Sequence, residues 1–148
     1  MSYISAYFHC IFSTKDRQRL ITPDLRERLW PFLGGIARQN KMKAIEIGGV
    51  DDHVHVLLSL PSSVPISKAM QLLKGGASKW VHETFPEHRS FAWQEEYGAF
   101  SVSMSQLDKT IEYIRDQEEH HRQMTFQEEF RMFLQRHRIE FDERYLWK

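Results

Sequence analysis

Two histidines separated by one residue form the pair in this sequence best suited to bind a metal ion. His53 and His55 lie in an apolar run that predicts a strand over 53–60. Because side chains alternate along a strand, both imidazoles would project from one face, roughly 6.6–6.8 Å apart along the backbone. Their ring nitrogens could then converge on one divalent ion. Two half-exposed strand histidines without a ligand are the alternative.

A tyrosine and a glutamine four residues apart could supply a nucleophile and a further ligand. Tyr113 and Gln117 lie in a segment with helical periodicity, so their side chains would share one face, one turn apart. A phenol with the ordinary pKa of about 10 is a weak nucleophile at neutral pH, and a nearby metal or general base would activate it. Gln117 would offer its amide oxygen as a third metal ligand. The alternative is a tyrosine that packs in the core or an interface of an amphipathic helix.

Two further histidines could approach the same site. His121 shares the predicted helix face of Tyr113 and Gln117, so it is a rival third ligand. Histidines near a helix end are also favoured by the negative end of the helix dipole, without any ligand. His9 projects from the more polar face of the first predicted strand, where structural hydrogen bonding is the favoured role.

Basic and aromatic residues provide candidates for contacts with nucleic acid. The formal net charge is +0, yet basic residues exceed acidic ones before about residue 93 and the reverse holds after it. A polarised molecule of this kind can still present a basic face to phosphates. Trp93 and Tyr97 could stack on unpaired bases, or they could be core or rim residues. The candidate phosphate contacts are Lys15, Arg17, Arg19, Lys68, Lys74 and Lys79.

The elements that must position these residues follow from periodicity and capping signals. Alternating residues predict a strand over 3–14, and Thr22-Pro23 predicts the start of a helix over about 23–39. Ser105 and Asp108 resemble a capping box that opens a helix to about residue 123, and Thr125 predicts the cap of a helix to about 138. The other predicted elements are strands at 43–50, 53–60, 91–93 and 98–103 and a helix over 66–81.

Two glycine pairs and the aromatic C-terminal segment carry predictions of their own. Gly48-Gly49 predicts a bulge or a loosened turn near the end of a strand. Gly75-Gly76 lies inside a predicted helix, where either a close approach to another surface or a kink would explain it. The tail at 141–147 carries three aromatic residues and is expected to dock on another surface.

The element order predicts an α+β fold with the ferredoxin-like (RRM-like) plan. A β-α-β-β-α-β core forms an antiparallel sheet with two helices on one face, followed by C-terminal helices that carry the tyrosine. The histidine pair is assigned to the face that those two helices leave uncovered. One domain is expected over 1–148, with its core at about 3–123 and a C-terminal helix and tail at 124–148.

Composition excludes several classes of protein. Hydrophobic residues at 41% and aromatic residues at 13% favour a packed core over a disordered chain. No run of eighteen apolar residues is present, which argues against a membrane span, and the N-terminus lacks the features of a secretion signal. The single cysteine, Cys10, fits a small core residue in a reducing compartment, so a cytoplasmic location is expected.

Five separated motifs together resemble the single-tyrosine HUH transposases of bacterial insertion sequences, including the type associated with repetitive extragenic palindromes. The resemblance covers roughly residues 3–123. The motifs are 8–14 (FHCIFST), 52–58 (DHVHVLL), 73–78 (LKGGAS), Trp93 with 97–103 (YGAFSVS), and 111–121 (IEYIRDQEEHH).

The resemblance implies roles for residues at the matching positions. The His-hydrophobic-His pair that binds the metal corresponds to His53 and His55, the nucleophilic tyrosine to Tyr113, and the polar residue one turn later to Gln117. The implied metal is Mg²⁺, with Mn²⁺ able to substitute. The implied reaction is cleavage and rejoining of single-stranded DNA with hairpin or palindromic ends through a 5′-phosphotyrosine. Such proteins work as homodimers in which the tyrosine helix can reach across to the partner's metal site.

Two other functions fit the same fold. One is a domesticated, non-catalytic protein that binds single-stranded nucleic acid, although the complete set of His53, His55, Tyr113 and Gln117 disfavours it. The other is a metal- or histidine-dependent phosphodiesterase that uses water as its nucleophile. A covalent adduct between protein and DNA would distinguish the transposase from both.

Overall fold

The structure is a computed structural model, and it describes residues 2–147. Three short 3₁₀ turns, Lys15–Arg17, Pro86–His88 and Met104–Gln106, lie between the main elements. The strands are β1 (Tyr7–Ser13), β2 (Lys43–Gly49), β3 (His53–Ser59) and β4 (Gly98–Val102). The helices are α1 (Pro23–Gln39), α2 (Ile66–Thr84), α3 (Leu107–Arg115), α4 (Gln117–His120), α5 (Phe126–Arg136) and α6 (Glu143–Leu146).

The four strands form one antiparallel sheet in the order β2-β3-β1-β4. The two central strands pair so that Ile11 lies opposite His55 and Ser13 lies opposite His53. This topology confirms the α+β, ferredoxin-like prediction. It also places the histidine pair on a central strand, where hydrogen bonds on both sides hold the backbone in place.

Helices α1 and α2 cover one face of the sheet. Thr22 caps α1 by accepting a hydrogen bond of 3.3 Å from the Leu25 amide, as predicted. Helix α2 is continuous through its glycine pair, and a Cβ on Gly76 would lie 2.9 Å from Ile36 Cδ1. The glycine therefore permits a close approach of the two helices. The core between these helices and the sheet includes Cys10, Phe12, Leu29, Val54, Val56, Leu58, Met70 and Leu73.

The opposite face of the sheet, which α1 and α2 leave uncovered as predicted, is covered by the C-terminal helices. Helix α3 packs against β2 and β3. The aromatic residues on one face of α5 pack on Ile11 and Phe100 of the sheet. An apolar helix face of this kind is stable only against another apolar surface, and the exposed sheet face provides one. The residues of α5 in this second core are Phe126, Phe130, Phe133 and Leu134.

Three local predictions differ from the structure. The segment 105–123 is two helices instead of one, and Ser105 Oγ pairs with Ser103 Oγ at 3.0 Å instead of capping a helix. The predicted strand at 91–93 is reduced to a single bridge between Thr14 and Trp93. The irregularity in β2 falls between Ala44 and Glu46 and not at the Gly48-Gly49 pair.

The C-terminal segment docks on its own chain. Trp147 packs against Phe126 and Phe130, and its carbonyl accepts a hydrogen bond of 3.0 Å from Gln94 Nε2. Thr125 and Glu128 form the capping box that starts α5, as the Thr125 signal predicted. Across residues 2–147, no helix is both long and apolar enough to cross a membrane.

Candidate functional site

The two strand histidines are fully buried beneath the C-terminal helices, with both side chains 0% exposed. His53 Nδ1 donates a hydrogen bond of 2.6 Å to the Asp52 carboxylate, and His55 Nδ1 lies 2.7 Å from His9 Nε2. These partners hold each ring by its Nδ1 atom. Both Nε2 atoms consequently point away from the sheet toward α4 and α5, the orientation that a metal pair requires.

His9 takes the hydrogen-bonding role predicted for it. Its side chain is buried on the same sheet face as His55, and its ring packs edge-on against Phe133 with centroids 5.0 Å apart. Its contact is with the Nδ1 atom of His55 and not with the Nε2 atom that faces the cluster. His9 is therefore placed to orient the ring of His55.

Helix α3 positions Tyr113 through a close contact with β2. A Cβ on Gly48 would overlap the carbonyl oxygen of Ile114 and lie 2.9 Å from its Cγ2 atom, so a glycine is needed there. With Ile114 buried against the sheet, the neighbouring Tyr113 ring lies 5.9 Å from the His55 ring, centroid to centroid. Gly48 therefore marks the docking point of the tyrosine helix and not a bulge.

The break after α3 turns two side chains toward His53. Helix α3 ends at Arg115, and Gln117 Nε2 donates a hydrogen bond of 3.2 Å back to the carbonyl of Tyr113. Gln117 Oε1 then accepts from His53 Nε2 at 3.2 Å and from His121 Nε2 at 3.1 Å. The structure thus brings both candidate third ligands, Gln117 and His121, to the histidine pair.

Glu129 of α5 lies at the centre of the site, although it was not among the site residues predicted from the sequence. Its Oε1 atom accepts hydrogen bonds of 3.1 Å from His55 Nε2 and His121 Nε2. Its Oε2 atom accepts a hydrogen bond from the Tyr113 hydroxyl. One signal could have found it, because Glu129 occupies the same helix face as Phe126 and Phe133, where a charged residue is unexpected unless it is paired.

The donor atoms form one compact cluster. One nitrogen or oxygen atom from each of His53, His55, His121 and Glu129 lies within 4.8 Å of the others. Imidazole nitrogens and a carboxylate oxygen are ordinary ligands of divalent transition metals. The buried cluster is therefore able to hold a divalent metal ion.

The charges in the cluster are strongly coupled. Burial alone would lower the pKa of His53, but hydrogen bonds to Asp52 and Glu129 raise this pKa to about 9. Burial prevails at His55 and lowers its pKa to about 4. Burial would raise the pKa of Glu129, yet the surrounding histidines hold it well below its ordinary value.

Burial and the Glu129 charge raise the pKa of the Tyr113 phenol well above its ordinary value. The phenol is therefore neutral at physiological pH.

The candidate phosphate-binding residues fall into two separate groups. Arg17 and Arg19 line a groove that His121 also lines, beside the cluster. Lys68 and Lys79 are exposed on α2, which lies on the other face of the sheet. Lys15 is exposed next to the first group.

Two other candidates for nucleic-acid contacts have partners within the protein. Lys74 Nζ donates hydrogen bonds of 2.7 and 2.9 Å to the carbonyls of Gln94 and Glu95. Trp93 Nε1 donates a hydrogen bond of 3.0 Å to the carbonyl of Lys74. These contacts fasten α2 to the segment before β4.

Comparison with known proteins identifies the family. The profile described as "Transposase IS200 like" matches residues 2–117. The ISDra2 transposase TnpA of Deinococcus radiodurans is 28% identical over 119 residues, covering 75% of this chain and 85% of that protein. The region matched by the family profile includes β1 to β4, α3 and Gln117, and it ends before α5.

Solved structures share the fold. A crystal structure of a Deinococcus radiodurans R1 protein matches with a TM-score of 0.63 and 24% identity, over 79% of this chain and 95% of that one. The structure of a REP-associated tyrosine transposase bound to a REP hairpin matches with a TM-score of 0.61 and 14% identity, over 82% and 72% of the two chains. Since the family profile spans most of the sequence, the chain belongs to the IS200-like transposase family.

Proposed function

We propose that this protein cleaves and rejoins single-stranded DNA near hairpins, with Tyr113 as the nucleophile. One observation carries the proposal: the Tyr113 hydroxyl and the Nε2 atoms of the strand histidines converge on the same carboxylate. A nucleophile and metal-binding donors around one point are what phosphoryl transfer requires, since catalysis there is mainly positioning and charge stabilisation. Membership of a transposase family supports a DNA substrate.

The metal site is proposed to include His53, His55 and Gln117. The donor set fits a divalent ion, because the Nε2 atoms of His53 and His55 approach the same carboxylate oxygen and the Gln117 amide oxygen lies 3.2 Å from His53 Nε2. Asp52 and His9 hold the two imidazole rings by their Nδ1 atoms. Mg²⁺ is the proposed metal in the cell. Mn²⁺ should be able to substitute in vitro, because it accepts imidazole ligands more readily than Mg²⁺ does. When bound, the ion would act as a Lewis acid on a non-bridging oxygen of the scissile phosphate.

The proposed reaction is a transesterification. The Tyr113 oxygen attacks the phosphorus, so that a Tyr–O–P bond forms and the bond from phosphorus to the 3′ oxygen breaks. The departing 3′ oxygen takes up a proton, which balances the proton that the phenol loses, and leaves as a hydroxyl. The downstream strand stays attached to Tyr113 through its 5′ phosphate. Attack of a 3′-hydroxyl on this linkage reverses the sequence and rejoins DNA without external energy.

Hairpin DNA is the proposed partner. The REP-associated tyrosine transposase that shares the fold is bound to a REP hairpin, which supports a substrate of this kind. Within this chain, Lys15, Arg17 and Arg19 are the favoured phosphate contacts, because they lie beside the groove that His121 lines. Lys68 and Lys79 lie on α2, on the other face of the sheet, and would contact DNA only if the DNA strand wraps around the protein.

The domain and assembly are also proposals. We propose one HUH domain over 1–148, which is supported by the packing of α5 and Trp147 on the sheet. A homodimer follows from the family resemblance. Leu146 and Trp147 of the C-terminal tail pack on their own chain.

A covalent-adduct assay tests the proposal. A hairpin-bearing single strand is incubated with the protein and Mn²⁺, and the products are separated on a denaturing gel. We expect a protein band shifted by the mass of the DNA, absent in Tyr113→Phe and in excess chelator. Specific binding without any adduct would instead favour the non-catalytic binding protein.

A further inference from the structure

The two oxygens of the Glu129 carboxylate contact different parts of the site. Oε1 lies 3.1 Å from His55 Nε2 and 3.5 Å from His53 Nε2, while Oε2 accepts the hydroxyl hydrogen of Tyr113. The side chain is 0% exposed, so these contacts are shielded from bulk solvent. The Glu129 carboxylate therefore links the Tyr113 hydroxyl to the Nε2 atoms of both strand histidines.

Packing alone does not explain a carboxylate at this position. Neighbouring positions on the same face of α5 hold Phe126, Phe130 and Phe133, all buried in an apolar cluster. A charged group is costly in such surroundings unless it is paired and hydrogen-bonded. Every hydrogen-bond partner of the Glu129 side chain among residues 2–147 belongs to the candidate site, which indicates that the site is the reason for the charge.

Glu129 is also a stronger candidate ligand than Gln117. The Gln117 amide oxygen is neutral, whereas the Glu129 carboxylate carries the negative charge that a divalent cation attracts. Two imidazoles and one carboxylate form a set that metal enzymes use while leaving positions open for substrate. Glu129 also lies beyond residues 2–117, the part of the chain that the family profile matches.

We propose that Glu129 bridges the metal and the nucleophile, with Oε1 as a ligand beside His53 and His55 and Oε2 as the acceptor that orients the Tyr113 hydroxyl. The inference rests on the proposed function for the identity of the nucleophile. It assigns a catalytic residue to α5, so docking of this helix completes the site. Gln117 and His121 are then the neighbouring donors that the same ion can recruit.

The test compares Glu129→Gln with Glu128→Gln. Both variants remove one negative charge from adjacent positions of α5. Glu128 is exposed and serves the capping box, a role that glutamine also performs, so this control should behave as the unmodified protein does. Mn²⁺ binding is measured by titration calorimetry on metal-stripped protein, and unfolding without metal is measured alongside.

We expect Glu129→Gln to weaken Mn²⁺ binding at least about tenfold, the scale seen when groups around a metal are removed. Glu129→Asp should restore part of the affinity but little adduct, since its shorter side chain cannot span both the ion and the hydroxyl. Unchanged Mn²⁺ affinity in a folded Glu129→Gln protein would overturn the proposal. Faster adduct formation in that variant would overturn it too, because Glu129 would then be blocking the position of the phosphate.

A measurement on the unmodified protein covers the case in which Glu129→Gln does not fold. A crystal structure grown with Mn²⁺ should show Oε1 bonded to the ion, and a carboxylate outside the coordination sphere would contradict the proposal. The two proposals fail separately. If metal affinity depends on Glu129 but no DNA adduct forms, the proposed reaction is rejected. If Tyr113 forms an adduct but metal binding does not depend on Glu129, only the bridging role of Glu129 is rejected.

Discussion

The hydroxyl of Tyr113 donates a hydrogen bond to the carboxylate of Glu129, a residue 16 positions later in the chain. This contact joins α3 to α5 across the buried histidine pair of β3. Because the two helices reach the site independently, the relative position of Tyr113, Glu129 and the strand histidines depends on how each helix docks on the sheet.

Docking of α3 should depend on Gly48. Gly48→Ala would push a methyl group into the Ile114 carbonyl, so α3 must shift away from β2. We expect a loss of stability of about 1–3 kcal/mol, as for overpacked cores, and a clear loss of adduct formation. Denaturant unfolding and the gel assay measure the two effects.

Gly75→Ala is the matched control. A Cβ on Gly75 has nothing within 4 Å, and the residue lies in the middle of α2. The substitution should therefore stabilise the protein by up to about 1 kcal/mol through helix propensity, with unchanged cleavage. Equal effects of the two substitutions would show that the Gly48 contact does not position α3.

His9 should act as a positioning residue for His55. His9→Phe keeps a ring but removes the 2.7 Å hydrogen bond to His55 Nδ1, so the ligand ring loses its orientation. We expect Mn²⁺ affinity to fall roughly 10- to 100-fold, as with other partners of metal ligands. His9→Gln, whose amide can donate to the same nitrogen, should retain more of it. Identical affinities in both variants would contradict this role.

Cys10 should be inert in the folded protein. Its side chain is 1% exposed, and burial raises the pKa of the thiol to about 12. A raised pKa keeps the thiol protonated at pH 8, and the thiolate is the reactive form. Maleimide should therefore label the protein only after denaturation. Rapid labelling of the native protein at pH 8 would show that β1 opens readily.

The chain's own arrangement predicts the outcome of a mixing experiment. Tyr113 lies against histidines of the same chain, so each site should be complete within one protomer. If the protein is a dimer, mixtures of Tyr113→Phe and His53→Ala should form no adduct. Recovery of cleavage in a purified heterodimer would show instead that the tyrosine helix reaches across to the partner.

Local sequence signals predicted the elements that carry them. Thr22-Pro23 marked the start of α1, Thr125 marked the start of α5, and alternation placed His53 and His55 on one face of a strand. In each case, the residues that determine the structure are neighbours in the chain. Tyr113 and Gln117, one helical turn apart, were predicted to share a face for the same reason.

The remaining features depend on residues that are far apart in sequence. Glu129 meets His55 across a separation of 74 residues, and no local pattern reveals that contact. The helix break after Arg115 could not be predicted from a glycine or proline, because neither residue occurs there. The packing of α5 on the second face of the sheet was not predicted, because the apolar residues of a helix do not identify the surface that the helix contacts.

The central claim is that Tyr113 becomes covalently joined to DNA, and mass spectrometry of the trapped adduct tests it most directly. The protein is incubated with a hairpin-bearing single strand and Mn²⁺, then digested with protease and nuclease. We predict a nucleotide on the peptide that contains Tyr113, attached through the 5′ phosphate of the downstream strand, and a free 3′-hydroxyl on the upstream fragment. A nucleotide on Tyr97 instead, or cleavage by a Tyr113→Phe protein, would contradict the account.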